Sequence, residues 1–511
     1  MLQNIRSPVT HHIYRTQLKT KITQAQKQIR DNNNAVDSTI HHRIQAINSK
    51  RHYQTLYEEQ IIRQDILSEQ LKLWRRTLPG LMKRFSRIPD PRRPKSIKHK
   101  ITVLLIFGLL AFVFRLSSRR EINRELTGAA INHHLRKIFP EIDSIPHADT
   151  LARLLERINI SEIERAHVLL IKQLINGKKL KKLLINQSLP ITIDGCQKLF
   201  RDGLLHDSNW LQRTVGSQDN KTNQQYVYAL EANITLKNGL AIPLLTEYLS
   251  MQNNQMISRE SKQDSELAAF ERLAERLKKH FPRLKIIVFM DALYATQDVM
   301  GILHKNKWDY LIQFSKNKLK TFAKILNKRR KEKLMIPDQP FYRERRQEFY
   351  WRNHLPYGYD WQLDINLVAC LERYEEVNKT TGDIEVKYSE HCWISSIPLS
   401  IDNVHELLNL GARKKQAIED SINTEKNRGY HYKHLFSHNW NAMRGFHLLM
   451  RLGHALNSLS QFTKKLKKFF KENGVNATLT FIKETLFSPW ITDAWFDNLH
   501  QQTPQLRFLM E

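Results

Sequence analysis

Three carboxylates stand where a carboxylate is costly or conspicuous. Asp194 ends the apolar half-strand Ile191–Ile193, and Asp291 follows the apolar run Ile286–Met290. An ionised carboxylate beside such strands is expensive to desolvate unless it is paired or binds a metal. The third, Glu419, lies in the stretch Arg413–Asn439, which reads as a helix. Lys415, four residues before Glu419, and Lys426, seven after it, project from nearly the same face at about 100° per residue. Asp420 points about a quarter-turn away and Glu425 about 120° off that face. Each acid alone has an ordinary explanation. Glu419 fits a salt-bridged surface helix, Asp194 before Gly195 fits a turn, and Asp291 fits a cap on a helix starting at Ala292.

Taken together, on strand, strand and helix in that order, they predict one site. Two adjacent strands of a mixed sheet bring the aspartates to one edge, and the later helix supplies Glu419. Like charges that close repel, so a divalent cation is the natural remedy. Oxygen ligands without a Cys or His pattern favour Mg²⁺ or Mn²⁺ over Zn²⁺. The chemistry such a site serves is two-metal phosphoryl transfer. Metals about 3.5–4 Å apart stabilise the attacking and leaving oxygens of an in-line displacement.

The bulk properties point to the substrate. The chain has 511 residues, which predicts two to four domains, and carries a net charge of +30 with a pI near 9.9. Nucleic acid is the commonest partner of so basic a chain, and an anionic membrane surface is the rival. Cys196, Cys370 and Cys392 are too few and scattered for a disulfide framework or a zinc site, which fits a reducing cytoplasm. The polar N-terminus carries no signal-peptide pattern. The longest apolar run, Ile101–Phe114, is short of the ~20 residues that span a bilayer and predicts a buried helix.

The elements that must position the acids follow in order. Residues 1–78 read as a helical, coiled-coil-like extension or helical hairpin, either a dimerisation arm or an extra helical layer on the next domain, with Leu18, Ile22, Ala25 and Ile29, then Ile40, Ile44 and Ile47, at coiled-coil spacing. Pro79-Gly80 is expected to end it. Residues 79–185 read as a helical module behind a basic, proline-rich linker. Three prolines between Ser86 and Lys100 forbid a continuous helix there, and Arg92 and Arg93 are candidates to track a phosphate backbone. Arg119 and Arg120 follow a Ser117/Ser118 cap and face outward. Residues 186–337 alternate strands and helices, with Asn238-Gly239 as a hairpin turn. Asp264 and Glu266 look like helix-start residues. Residues 338–398 are β-like and aromatic, residues 399–460 return through the Glu419 helix, and residues 461–511 are helical with a cationic Lys464–Lys471 patch.

The blocks ITIDG (191–195), VFMDALYA (288–295) and IEDSINTEKNRGY (418–430) resemble the three acidic blocks of DDE-type insertion-sequence transposases. The last is similar to the Y-R-E-K signature of the cut-and-paste group. Glu419 and Lys426 match its Glu and Lys, Lys415 stands at the Arg position and Ala412 at the Tyr position. Arg413, next to Ala412, offers a guanidinium. IPDPRR (88–93) and HADTLARLLERI (147–158) also resemble the N-terminal region of these enzymes. The resemblance runs over residues 80–460 and leaves out residues 1–78. It implies an α/β chain with a ribonuclease-H-like core, a β-rich insertion at 338–398, helical regions before and C-terminal helices after. It implies that Asp194, Asp291 and Glu419 hold two Mg²⁺ or Mn²⁺ ions. Lys415, Lys426 and Arg413 would contact phosphates near the transposon end, with Arg92, Arg93, Arg119 and Arg120 on the duplex. The implied activity is cleavage of double-stranded DNA and strand transfer by a homodimer on paired ends, near a bacterial nucleoid. Trp351, Trp361 and Trp393 are candidates by location to stack on a flipped base. A nuclease without strand transfer and an inactive DNA-binding protein are the alternatives.

Overall fold

The computed structural model describes residues 8–33, 53–178, 180–203, 209–217, 220–250, 259–314, 320–331, 339–342, 345–358 and 362–501. Helices come first. α1 spans Pro8–Asn33, and α2 (Leu56–Phe85) starts where the Thr55 hydroxyl accepts the Glu58 N–H. Ile40, Ile44 and Ile47 lie outside the described residues. α2 does not stop at Pro79-Gly80 but runs through it. Leu78, Leu81 and Phe85 are buried on either side of the proline. Burying each is worth about 1.5–3 kcal/mol, which together outweighs the ~3 kcal/mol cost of an internal proline.

Only a short 3₁₀ turn, Pro94–Ser96, interrupts the basic linker. α3 (Ile101–Val113) is buried at every position but Thr102. α4 (Arg119–Leu126), capped by Ser118, then α5 (Ala129–Ile138), α6 (Ala148–Leu155) and α7 (Ile160–Asn176) complete a mostly helical N-terminal region. Strands β1 (Leu189–Asp202), β2 (Leu211–Val215), β3 (Thr222–Thr235) and β4 (Ala241–Leu249) follow. The β3–β4 turn uses Gly239 at φ +80°, a conformation glycine adopts without strain. Next come α8 (Arg259–His280), β5 (Ile286–Met290), α9 (Gln297–Lys305), β6 (Asp309–Phe314) and α10 (Lys320–Lys331). β7 (Gln339–Tyr342), β8 (Arg345–Tyr357), β9 (Leu363–Val377) and β10 (Ile384–Ser395) precede α11 (Ile401–His405). A π-helical turn, Glu406–Gly411, and a 3₁₀ turn, Ala412–Lys415, lead into α12 (Gln416–Asn427). The helix expected over Arg413–Asn439 is therefore shorter. It breaks where Gly429 (φ +96°) and His431 (φ +53°) turn the backbone left-handed. α13 (Trp440–Ser460), α14 (Lys464–Asn473), α15 (Val475–Phe487) and α16 (Asp493–Gln501) close the chain.

The chain divides into two compact units. One comprises Met1–His42 and Val288–Ala412. In it β10 pairs antiparallel with β6 and β9, and β8 with β9 and β7. α1 packs on the end of β9 through Ala25, Ile29 and Val377, and Lys21 pairs with Asp383 at 2.8 Å. The extension is thus not one coiled coil: α1 belongs to this unit and α2 to the other.

The second unit comprises Arg43–Ile287 and Arg413–Glu511. β3 pairs antiparallel with β1, β2 and β4, and Leu189 N–H donates to Lys285 O at the entrance to β5. One continuous apolar core joins helices α2–α7 to α12–α16, with Ile418 and Ile422 as the contribution of α12. α13 crosses α3 closely because glycine lines the contact. A Cβ on Gly453 would stand 2.9 Å from Phe112 Cβ and 3.2 Å from the Val113 backbone nitrogen. Backbone cannot yield as a side-chain tip can, so Gly453→Ala should lower stability by about 1–3 kcal/mol. The readout is a reduced urea midpoint at unchanged slope; an unchanged or raised midpoint contradicts the tight crossing.

Candidate active site

Asp194 does not sit in a turn. β1 runs straight through Asp194-Gly195, with Asp194 opposite Glu231 and Gly195 opposite Leu230 on β3. Gly195 is required by its neighbours: a Cβ there would lie 3.1 Å from Glu266 Oε2 and closer still to the Tyr228 hydroxyl. Glu266 is not a helix-start residue, since α8 begins at Arg259; it is buried and hydrogen-bonded to the Tyr228 hydroxyl. Burial and the Glu266 carboxylate push the Tyr228 phenol well above its ordinary range.

Directly opposed residues of an antiparallel pair share a sheet face, so Asp194 and Glu231 both face α12 and α13. Glu231 is completely buried. It accepts from Tyr432 Oη at 2.9 Å and Thr246 Oγ1 at 2.6 Å, and lies 3.3 Å from Arg451 Nη2 and 3.1 Å from His447 Nε2. Arg451 also donates to Ala232 O, to Asn233 Oδ1 at 2.6 Å, and to both carboxylate oxygens of Glu425. His454 Nδ1 meets Glu425 Oε1 at 2.7 Å. One guanidinium on α13 thereby ties β3 to the buried face of α12. Burial raises the pKa of both carboxylates, but Arg451 with His447 more than offsets this at Glu231, and Arg451 with His454 does so at Glu425. Both titrate below the ordinary carboxylate range. Burial lowers Lys198 to about 8, against the pull of Glu231 and Glu425; its ammonium donates to Tyr432 O at 2.6 Å and approaches His447 Nδ1 at 3.1 Å.

With Glu425 locked inward, α12 turns Glu419 outward. Lys415 Nζ lies 3.2 Å from Glu419 Oε1 and 3.7 Å from Asp194 Oδ1. One ammonium is therefore within ion-pair range of an acid on a strand and an acid on a helix, as the i,i+4 spacing predicts for Glu419. Lys426 is placed differently from the expectation. It is half-buried, hydrogen-bonded to the Cys196 thiol, with its ammonium 5.8 Å from the Tyr432 ring centre. α12 lies along β1, so its two lysines meet β1 at different points, Asp194 and Cys196. Asp291, in the other unit, follows β5 and its Oδ1 accepts the Leu293 N–H at 3.0 Å, capping the turn Ala292–Tyr294.

The remaining candidates separate by their partners. Arg92 is held by both oxygens of Asp90 and by His99 O, which makes it a brace of the linker. Arg119 pairs with Asp149 at 2.9 Å. Arg93 and Arg120 are exposed, and Arg413 is half-buried in the 3₁₀ turn. Trp393 is buried and stacks on His391, Trp351 is half-buried, and Trp361 lies outside the described residues. Among the described residues, no group of three or more His, Cys, Asp or Glu side chains is arranged to hold a metal ion. Sequence reasoning missed the Glu231–Arg451–Glu425 network. Its signal was there: Glu231 and Arg451 each interrupt an apolar run, where a charge persists only if paired.

Arg451→Met leaves Glu231 and Glu425 buried without their guanidinium, which should cost about 3–5 kcal/mol at neutral pH. Because both folded pKa values are depressed, this contribution is full above about 4.5 and is lost as pH falls below it. Urea unfolding across that window should show a smaller acid-side loss in Arg451→Met than in the wild type. Equal slopes would contradict the assigned pairing.

Comparison with known proteins agrees in kind. Residues 220–456 match the family described as Transposase DDE domain, and residues 82–170 match the family described as DDE_Tnp_1-associated. Asp291 and Glu419 fall inside the first match, while Asp194 lies before it. No curated protein matches the chain. Among solved structures, the piggyBac transposase synaptic complex with hairpin DNA is similar at a TM-score of 0.36 and 11% identity, over 86% of this chain and 82% of that one. A likeness of that degree carries no weight beside the two family matches. The chain belongs to the DDE transposases, enzymes that cleave DNA.

Proposed function

We propose that Asp194, Asp291 and Glu419 bind two Mg²⁺ or Mn²⁺ ions on a ribonuclease-H-like core, and that the site cleaves double-stranded DNA at transposon ends and joins it to a target. The observation that carries this is the shared ammonium of Lys415. Two carboxylates from distant parts of the chain already converge on one cation, at 3.7 and 3.2 Å. A hard divalent ion takes the same oxygen donors. Such ions, when bound, polarise the phosphoryl oxygens and activate the attacking oxygen.

The chain's own residues do the rest. β1, locked in register by β3, holds Asp194, and α12, locked by Arg451, holds Glu419. The Ala292–Tyr294 turn fixes the Asp291 carboxyl through its Oδ1. In the first step water attacks the end phosphodiester, forming one P–O bond and releasing a 3′-hydroxyl. In the second that hydroxyl attacks the target, exchanging one phosphodiester for another. Lys415, Lys426 and Arg413 would bind phosphates beside the site. Arg93 and Arg120 would meet the duplex, supported by Arg92 and Arg119, in a homodimer on paired ends. The described residues contain no helix long and apolar enough to cross a membrane. The +30 charge suits a polyanionic substrate such as DNA.

With Mg²⁺ and labelled DNA carrying the repeats that flank its own gene, Asp194→Asn, Asp291→Asn and Glu419→Gln should each lose more than ~10²-fold in cleavage, at least ~2.7 kcal/mol of transition-state stabilisation. Asp420→Asn should stay within a few-fold of wild type. A wild-type rate in any of the three acid variants rejects that residue's role. Cleavage without joining to a plasmid would reassign the enzyme as a nuclease.

A further inference from the structure

We propose that Lys415 is a built-in competitor of the divalent cation: it braces the two acids while the site holds no metal and is displaced when metal binds. The inference rests on the proposed metal-binding role of Asp194 and Glu419. Lys415 occupies the N-cap position of α12, so its backbone is fixed while its four-carbon stem can swing. Its ammonium reaches Glu419 on its own helix and Asp194 on β1 at once, and the lysine side chain is only 14% exposed. Asp194 and Glu419 carry like charge, and this ammonium neutralises the repulsion between them. A divalent ion needs those oxygens at about 2.0–2.1 Å and repels a cation placed between them. Ammonium and metal therefore exclude one another from the shared oxygens. The freed ammonium is a compact point charge on a flexible stem, suited to a DNA phosphate oxygen.

The arrangement makes metal affinity lower than the carboxylates alone would give, and makes the metal-free protein depend on Lys415 for order at the site. Lys426 supplies an internal control. It also lies on α12, but its ammonium engages Cys196 and Tyr432.

The test is Mn²⁺ binding without DNA, followed by the free-ion paramagnetic resonance signal, on the full chain. Lys415→Met should bind Mn²⁺ roughly tenfold tighter than wild type, within the 5–150-fold range of ordinary site coupling. Lys426→Met should change the affinity much less. Thermal melts give an independent readout: Lys415→Met should melt below wild type in chelator and gain more from Mg²⁺ than wild type does. Lys415→Gln serves in the same way if the methionine variant does not fold. Unchanged or weaker Mn²⁺ binding in the Lys415 variants overturns the proposal, as does equal tightening in Lys426→Met. Asp194→Asn separates the two levels: if it keeps the wild-type isotherm, the metal site itself is wrong, whatever Lys415 does.

Discussion

A guanidinium buried between two carboxylates sets the geometry on which the proposed site depends. Arg451 reaches Glu231 on β3 and Glu425 on α12, and also bonds the β3 backbone at Ala232. Ion pairs taken out of water add little net stability, but breaking one side is expensive. What the network supplies is position. A one-residue slip of β3 would swing Glu231 to the other sheet face and strand Arg451. Rotation of α12 would pull Glu425 from the same partner. With both motions blocked, Asp194 opposite Glu231 and Glu419 on the outer face of α12 are held in fixed relation, and Lys415 spans them.

The sequence made part of this legible. The apolar runs before Asp194 and Asp291 marked these acids, because desolvation makes such residues costly; Asp291 does follow its strand, whereas β1 runs on through Asp194. Helical spacing paired Lys415 with Glu419, and it set Glu425 on a different face, where it is indeed buried. The hairpin at Asn238-Gly239 and the buried α3 followed from local chemistry. The rest depended on contacts between distant segments. Periodicity could not say that α2 would carry Pro79 through its interior, since the compensation comes from the apolar core around Leu78, Leu81 and Phe85. Nor could it say that Arg92 would turn inward onto Asp90 and His99, or that Lys426 would settle on Cys196 and Tyr432, because those partners lie on other elements or across turns. The split of α1 from α2 was equally hidden: the coiled-coil spacing of Ala25 and Ile29 is satisfied by Val377 on β9.

The basic charge of the chain and the acidity of its site meet at Lys415. A polyanionic substrate is drawn to Lys and Arg, yet the chemistry requires carboxylates that would repel it. A lysine shared by the two acids reduces that conflict. In the proposed role it would lower the local negative charge before a metal ion arrives and leave a cation at hand afterward. A lysine where the resembled signature carries arginine is not a neutral exchange, since a guanidinium is planar and holds its charge in a rigid fork.

Diffraction from crystals grown with Mn²⁺, measured at its anomalous edge, tests the central claim directly. The expected peak is bonded to carboxylate oxygens of both Asp194 and Glu419 at a little over ~2 Å, with the Lys415 ammonium moved off them. A peak on other acids, such as Asp420 or Glu266, with Lys415 still bridging Asp194 and Glu419, would contradict it.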